Sequence, residues 1–296
     1  MRFIMKNIFN GIANINGKLC NLNEASVPLS DRGLLFGHAI FETLLVYKGK
    51  IIDWQTHYER MKLSCEKSFI QIPNEHDLKN EALKAVDENI KKSEQLYDKA
   101  QLRIIISGGN SFDFAIKREN NSLPSCNIYI ICRNVSGPTK ENYMNGIKLK
   151  LVADLRSPGL VNIKSSSYLY SIIALENSRL DGFEDALYYN SNEIITESTT
   201  ANFIWFDKNL NVYSAPFEGA CLAGTTLSRL ISGLKKFKIS FDWKELNRAK
   251  IVEFAGCAII SSIRGIVPVK QIENHHFDIQ EFRAFFNTLN KALQSE

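Results

Sequence analysis

The feature that most constrains this chain is the stretch Asn134-Val135-Ser136-Gly137-Pro138-Thr139, dominated by turn formers with little to bury. Glycine next to proline extends neither a helix nor a strand, so the stretch reads as a linker. It divides 296 residues into two parts, each long enough to enclose a core. The expectation is an N-terminal α+β domain over residues 1–135 and a second domain over 140–296.

Before the linker, Asn16-Gly17 and Lys48-Gly49-Lys50 are hairpin signals between short apolar runs. Trp54 opens a helical stripe of His57, Met61, Cys65 and Phe69 at four-residue steps. Residues 77–97 read as an amphipathic helix carrying Leu78, Leu83, Val86 and Ile90. Leu102–Ser107 and Asn127–Cys132 read as strands. After the linker, strands are expected over 147–152, 185–189, 194–196, 201–206 and 211–213, and near 239, 258 and 267. Leu169, Ile172, Ile173 and Leu180 mark one helical face, a helix follows Gly224, and a last one starts at 278.

Hydrophobic residues at 45% and charged residues at 23% suit a soluble globular enzyme and argue against disorder. No apolar run approaches the roughly 20 residues that cross a bilayer. The opening Met1–Lys6 is too short for a secretory signal, and Met5 is an alternative start. The cytoplasm is the default location. Cysteines 20, 65, 126, 132, 221 and 257 form no C-x-x-C pair, and the histidines are dispersed, so reduced thiols and no metal are expected. A net charge of +4 with interleaved signs gives no stripe for nucleic acid, though it accommodates an anionic small-molecule substrate.

The chemistry-bearing residues are spread along the chain. Lys164 stands among hydroxyl residues in Ile163-Lys164-Ser165-Ser166-Ser167-Tyr168, and Glu197 follows 33 residues later. A partly buried lysine retains some neutral amine, able to form a Schiff base. A fixed carboxylate can hold a proton on a pyridine nitrogen. Gly224-Thr225-Thr226 at a helix start offers amides, hydroxyls and the positive end of a helix dipole; that suits a phosphate, and equally a plain helix cap. Arg60 is either a solvated helix arginine or a second donor to the same phosphate. Together these describe pyridoxal 5'-phosphate held at both ends and along its reactive edge.

Four motifs occur in order: Asp31-Arg32-Gly33 through Phe41-Glu42-Thr43, His57-Tyr58-Glu59-Arg60-Met61, Ile163-Lys164 through Glu197–Asn202, and Ala223-Gly224-Thr225-Thr226. In these the chain resembles the fold-type IV pyridoxal-phosphate enzymes: branched-chain aminotransferases, D-amino-acid aminotransferases and aminodeoxychorismate lyases. The resemblance runs from about Asn16 to Val269. It implies an α/β (α+β) protomer, a small N-terminal α/β sandwich and a larger C-terminal pseudo-barrel carrying the Schiff-base lysine, with the cofactor at the domain interface of a homodimer. By the same resemblance Lys164 is the Schiff-base lysine and Glu197 the partner of the ring nitrogen. Arg60, Thr225, Thr226 and Ser262 bind phosphate, and Tyr168 lines the cofactor pocket.

Three details bear on the branch. Tyr168 stands four residues after Lys164, where branched-chain enzymes place a tyrosine five after. Gly265 occupies a position where transaminases commonly have glutamate, and Thr43 one where the lyases carry a threonine thought to aid proton transfer. The resemblance therefore implies an aminodeoxychorismate lyase, with a branched-chain or D-amino-acid transaminase as the alternative. Gly37-His38-Ala39 departs from the family's Gly-Asp-Gly. His38 there is a packing or hydrogen-bonding residue, or it alters substrate preference; a non-catalytic phosphate-ligand-binding relative is the rival from another class.

Overall fold

A computed structural model describes residues 11–93, 95–135, 137–217 and 221–295. The opening Met1–Lys6 with its alternative start, and Ser136 of the expected linker, lie outside the described residues. The chain divides into two compact units: residues 1–136 with 163–167, and residues 137–162 with 168–296. The short segment carrying Lys164 thus groups with the first unit although it follows the linker.

The first unit contains β1 (Ile12–Ile15), β2 (Lys18–Asn21), α1 (Arg32–Phe36), β3 (Ala39–Tyr47), β4 (Lys50–Ile51), α2 (Trp54–Lys67), α3 (Glu75–Lys92), α4 (Gln95–Asp98), β5 (Lys99–Ser107) and β6 (Asn127–Asn134). The strands form one antiparallel sheet in the order β2-β1-β6-β5-β3-β4. In β3, Ile40, Leu44 and Val46 pack with Met61 and Cys65 of α2 and Leu78 and Val86 of α3. Alternation along the strand puts Phe41 and Thr43 on the opposite face. Both expected hairpins form, with Asn16-Gly17 and Lys48-Gly49 at positive φ.

Two expected details shift. The α2 stripe stops before Phe69, which takes φ 53 and is exposed. The helix expected over 77–97 ends at Lys92, because Ser93 turns extended (φ −151), and one more helical turn follows over Gln95–Asp98. Asn89 on α3 serves the sheet: it accepts from Ile12 N and donates to Ile12 O, both at 2.8 Å.

The second unit contains α5 (Lys140–Asn145), β7 (Ile147–Ala153), α6 (Pro158–Val161), α7 (Leu169–Leu180), β8 (Asp185–Tyr189), β9 (Ile194–Ser198), β10 (Asn202–Phe206), β11 (Val212–Ser214), α8 (Thr225–Lys236), β12 (Phe241–Trp243), β13 (Leu246–Asn247), β14 (Gly256–Ser261), β15 (Gly265–Ile272), β16 (His275–His276) and α9 (Arg283–Gln294). The pairing runs β10-β14-β15-β7-β8-β9, and β9 pairs back to β10, closing the pseudo-barrel. Every residue of β10 is buried: Phe203 and Trp205 enter one apolar cluster, Ile204 and Phe206 the other. Phe285 and Phe286 of α9 meet the Phe206 ring edge-on at 4.8 and 5.5 Å. The last helix begins at Arg283 rather than 278 because the Asp278 carboxylate accepts the amides of Gln280 and Glu281, holding a turn there. The strand expected near 239 begins at Phe241.

Helix α7 is turned against the usual arrangement. Its buried residues are Ser171, Ala174 and Ser178, small side chains that let it approach β8 at Ala186 and Tyr188. The apolar stripe that the sequence marks is the exposed one, with Leu169 at 69% and Leu180 at 85% of full exposure. No helix among the described residues is long and apolar enough to cross a membrane.

Candidate active site

In the first unit, Lys164 is fixed by its backbone. Its carbonyl accepts from Phe41 N at 2.9 Å, its amide donates to Ser64 Oγ at 3.3 Å, and Ser166 N donates to Ala39 O at 2.8 Å. Ile163 packs into the first unit's core. The Lys164 ammonium nitrogen lies 4.7 Å from the Phe41 ring centre, and the Arg103 guanidinium lies 4.5 Å from the same ring. Among the described residues no carboxylate stands within ion-pair reach of Lys164. Thr43 follows Phe41 on that face and pairs in register with Arg103. Its Oγ1 is buried and has no hydrogen-bond partner among the described residues. A buried hydroxyl without a partner costs free energy, so it marks a place where another group's polar atom is expected.

Arg60 is oriented from behind. Its Nε and Nη2 donate to the two oxygens of Glu42, each at 2.7 Å, and His57 Nδ1 stands 2.7 Å from Oε2. Burial alone would push the Glu42 carboxyl up, but Arg60 and His57 outweigh it and hold it far below the usual carboxylate range. A bidentate fork of this kind fixes the plane of the guanidinium.

His38 has a structural explanation. Arg32 Nε has only a proton to offer, so His38 Nδ1 accepts it (3.0 Å), and Nε2 carries the hydrogen given to Ser68 O at 2.7 Å. Arg32 also donates to the carbonyls of Asp113 and Phe114, tying down the chain after β5. Asp31 caps α1 and accepts from Ser107 Oγ, Asn127 Nδ2 and Tyr129 Oη at 2.6 to 2.7 Å. Its carboxyl, raised by burial, is carried below its ordinary value by these bonds. The motif Asp31-Arg32-Gly33 is thereby accounted for as scaffolding. The Asp31 carboxylate also accepts the amide of Leu34 at 3.2 Å, a local cap, whereas nothing in the sequence points to its three distant partners.

In the second unit, Glu197 is buried at the end of β9, opposite Asn202 in the turn into β10. Its Oε1 accepts from Arg156 Nη1 and its Oε2 from Leu222 N, both at 3.1 Å. Asn202 Nδ2 donates to Leu222 O at 2.8 Å, so one side chain ties the Glu197 turn to the segment leading into α8. At the N-cap of α8, Gly224 brings no capping side chain, and a β-carbon there would overlap Asn202 Oδ1. Thr225 and Thr226 open the helix, and their hydroxyls lie 3.4 and 3.0 Å from Ser262 Oγ. Three hydroxyls therefore converge at the positive end of a twelve-residue helix.

Ser262 sits in the turn joining β14 to β15, which Gly265 closes at φ 64, a conformation that favours glycine. Arg264 braces that turn, donating to Asp185 Oδ2 at 3.2 Å and to Thr200 Oγ1. Tyr168 is the residue before α7, at its N-cap position. Sequence reading singled out none of Arg156, Asp154 or Arg264, because their partners are remote in sequence or sit in loops.

The model of the Amino-transferase class IV family matches residues 39–272, and the chain belongs to that family. The D-alanine aminotransferase of Bacillus licheniformis is 22% identical over 87% of this chain and 87% of its own length. The aminodeoxychorismate lyase of Bacillus subtilis is 22% identical over 91% of this chain and 89% of its own. A hypothetical aminotransferase from Mycobacterium tuberculosis, in its PLP-bound form, superposes with a TM-score of 0.82 at 18% identity, covering 95% and 98% of the two chains. The protein is thus a fold-type IV enzyme and its cofactor is pyridoxal phosphate. Its residues fit that group: three hydroxyls at a helix start for a phosphate, a buried carboxylate for a ring nitrogen, and a lysine amine outside any ion pair among the described residues for an aldehyde.

Proposed function

We propose that this enzyme is an aminodeoxychorismate lyase, converting 4-amino-4-deoxychorismate to 4-aminobenzoate and pyruvate. The observation that carries the reading is the Thr43 hydroxyl, buried without a partner among the described residues on the strand face where Lys164 lies over Phe41. A hydroxyl so placed is available to a reacting group and otherwise destabilising.

Bound pyridoxal phosphate supplies an electron sink that stabilises negative charge on the carbon bearing the substrate amine. Lys164 would provide the amine that holds the cofactor's aldehyde and the base that takes the proton from that carbon. Thr43 holds and delivers a proton on the same face. Glu197 keeps the ring nitrogen protonated. Thr225, Thr226 and Ser262 donate to the phosphate at the start of α8, and Arg60, held in plane by Glu42, adds a guanidinium donor. Tyr168 borders the cofactor. The enzyme acts in the cytoplasm as a homodimer, for which the exposed apolar stripe of α7 is the proposed contact.

The second reading is a D-amino-acid or branched-chain transaminase, favoured by the similarity to D-alanine aminotransferase. One assay separates the two: aminodeoxychorismate generated in place and followed for 4-aminobenzoate, beside a panel of L- and D-amino acids followed for keto acids. Aromatic product that disappears in Lys164→Ala supports the lyase. Rapid transamination without 4-aminobenzoate overturns it.

A further inference from the structure

We propose that Arg156 is a positioning residue for Glu197, holding that carboxylate as an oriented anion so that the proton it shares with the cofactor's ring nitrogen rests on the ring. The proposal rests on the assignment of Glu197 to the ring nitrogen and adds a residue that neither the sequence motifs nor the family resemblance assigns.

Three independent contacts fix Arg156. Its Nε and Nη2 form a fork on Asp154, at 2.9 and 2.7 Å. The guanidinium carbon lies 4.7 Å from the Tyr188 ring centre, and the Tyr188 hydroxyl is itself held 3.3 Å from Ser171 Oγ. Only then does Nη1 reach Glu197 Oε1, with Leu222 N on the other oxygen. A lone carboxylate as buried as Glu197 would tend to take up a proton, and a protonated glutamate would leave the ring nitrogen neutral. A guanidinium at 3.1 Å opposes that preference. Burial of Arg156 works against its charge, but Asp154 and Glu197 outweigh this and keep it protonated.

The charge count also matches. Asp154, Arg156 and Glu197 together carry one net negative charge, which a protonated pyridine ring neutralises. The neighbouring Cys221 adds none, because burial first and Glu197 second push its thiol up. The arrangement thus favours the pyridinium, the form in which the cofactor is a strong electron sink.

The test is a double-mutant cycle on cofactor affinity, with apo protein titrated with pyridoxal phosphate and read by fluorescence. Arg156→Gln and Glu197→Gln are each expected to weaken binding by about tenfold or more, and the double variant to bind no more weakly than Glu197→Gln alone. Arg156→Lys, which keeps the charge without the fork, is expected to fall between wild type and Arg156→Gln. Additive losses, or wild-type affinity in Arg156→Gln, overturn the proposal. Should the Gln variant not fold, the same cycle with Arg156→Lys decides: a loss that vanishes in the Glu197→Gln background supports the role, and one that persists overturns it. A wild-type protein that takes up no pyridoxal phosphate overturns the cofactor assignment itself, and this role with it.

Discussion

The Lys164 ammonium nitrogen lies 4.7 Å from the centre of the Phe41 ring, and Thr43 is the next residue on that face of β3. Strand alternation makes this a consequence of register. Glu42, between Phe41 and Thr43, points to the other side and takes the Arg60 fork. Three consecutive residues therefore serve two tasks.

Thr43→Val tests the first task. Valine keeps the shape and strand preference, and it removes a hydroxyl that has no partner to lose. Thermal stability is expected to stay equal or rise slightly. Formation of 4-aminobenzoate is expected to fall by about 100-fold or more, the scale of one positioned proton donor. Thr43→Ser should retain most of the rate. A Val variant with full activity would remove Thr43 from the chemistry.

Glu42→Gln tests the second. Removing the charge of the fully buried Glu42 breaks its bidentate pair with the part-buried Arg60, at a cost of about 3 kcal/mol near neutral pH, read by denaturant unfolding. The folded Glu42 carboxyl is held below its unfolded value of about 4.3, so its contribution is fully present above that pH. It is lost as the pH falls from there toward the lower folded value. The stability gap between wild type and Glu42→Gln should therefore narrow as the medium is acidified below about pH 4. A gap independent of pH would contradict the ion pair.

Much of the fold is legible in the chain because its strands are short and apolar, with Asn-Gly and Lys-Gly turns marking two of the hairpins. Most expected strands fall within a few residues of those observed. Lys164, Glu197 and the Gly224–Thr226 run stand out for a similar reason: each sits in a local pattern that a lone sequence displays. What the sequence withholds is remote pairing. Arg156 looks like any loop arginine until the fold brings β9 beside it, and Asp31 meets Ser107, Asn127 and Tyr129 only across the assembled sheet. Helix α7 shows the limit of periodicity, which finds an apolar face without saying which way it turns.

Gly224→Ala tests how closely the helix start is built. The added methyl would meet Asn202 Oδ1, and Asn202 cannot simply turn away because its amide holds Leu222 O. Overpacking of this kind costs about 1–3 kcal/mol. The shift would displace the Thr225 and Thr226 hydroxyls, so phosphate-dependent retention of the cofactor should fall more than thermal stability does. Comparing the affinity for pyridoxal phosphate with that for pyridoxal checks this. Equal losses for the two ligands would take the phosphate away from α8.

Ile173→Glu tests the contact proposed for α7. Ile172, Ile173 and Leu180 are all exposed on a helix whose small residues are the buried ones, so in an isolated chain the carboxylate of a glutamate at 173 reaches water. Such a change should then leave unfolding within about 0.5 kcal/mol of wild type. If the stripe instead faces a second copy, a charge placed in its centre must be desolvated there without a partner. The expected result is a wild-type protein that sediments as a dimer and an Ile173→Glu variant that dissociates to folded monomer, with its far-ultraviolet circular dichroism unchanged. A variant that remains dimeric, or a wild-type protein that is monomeric at every concentration, would place the contact elsewhere or remove it.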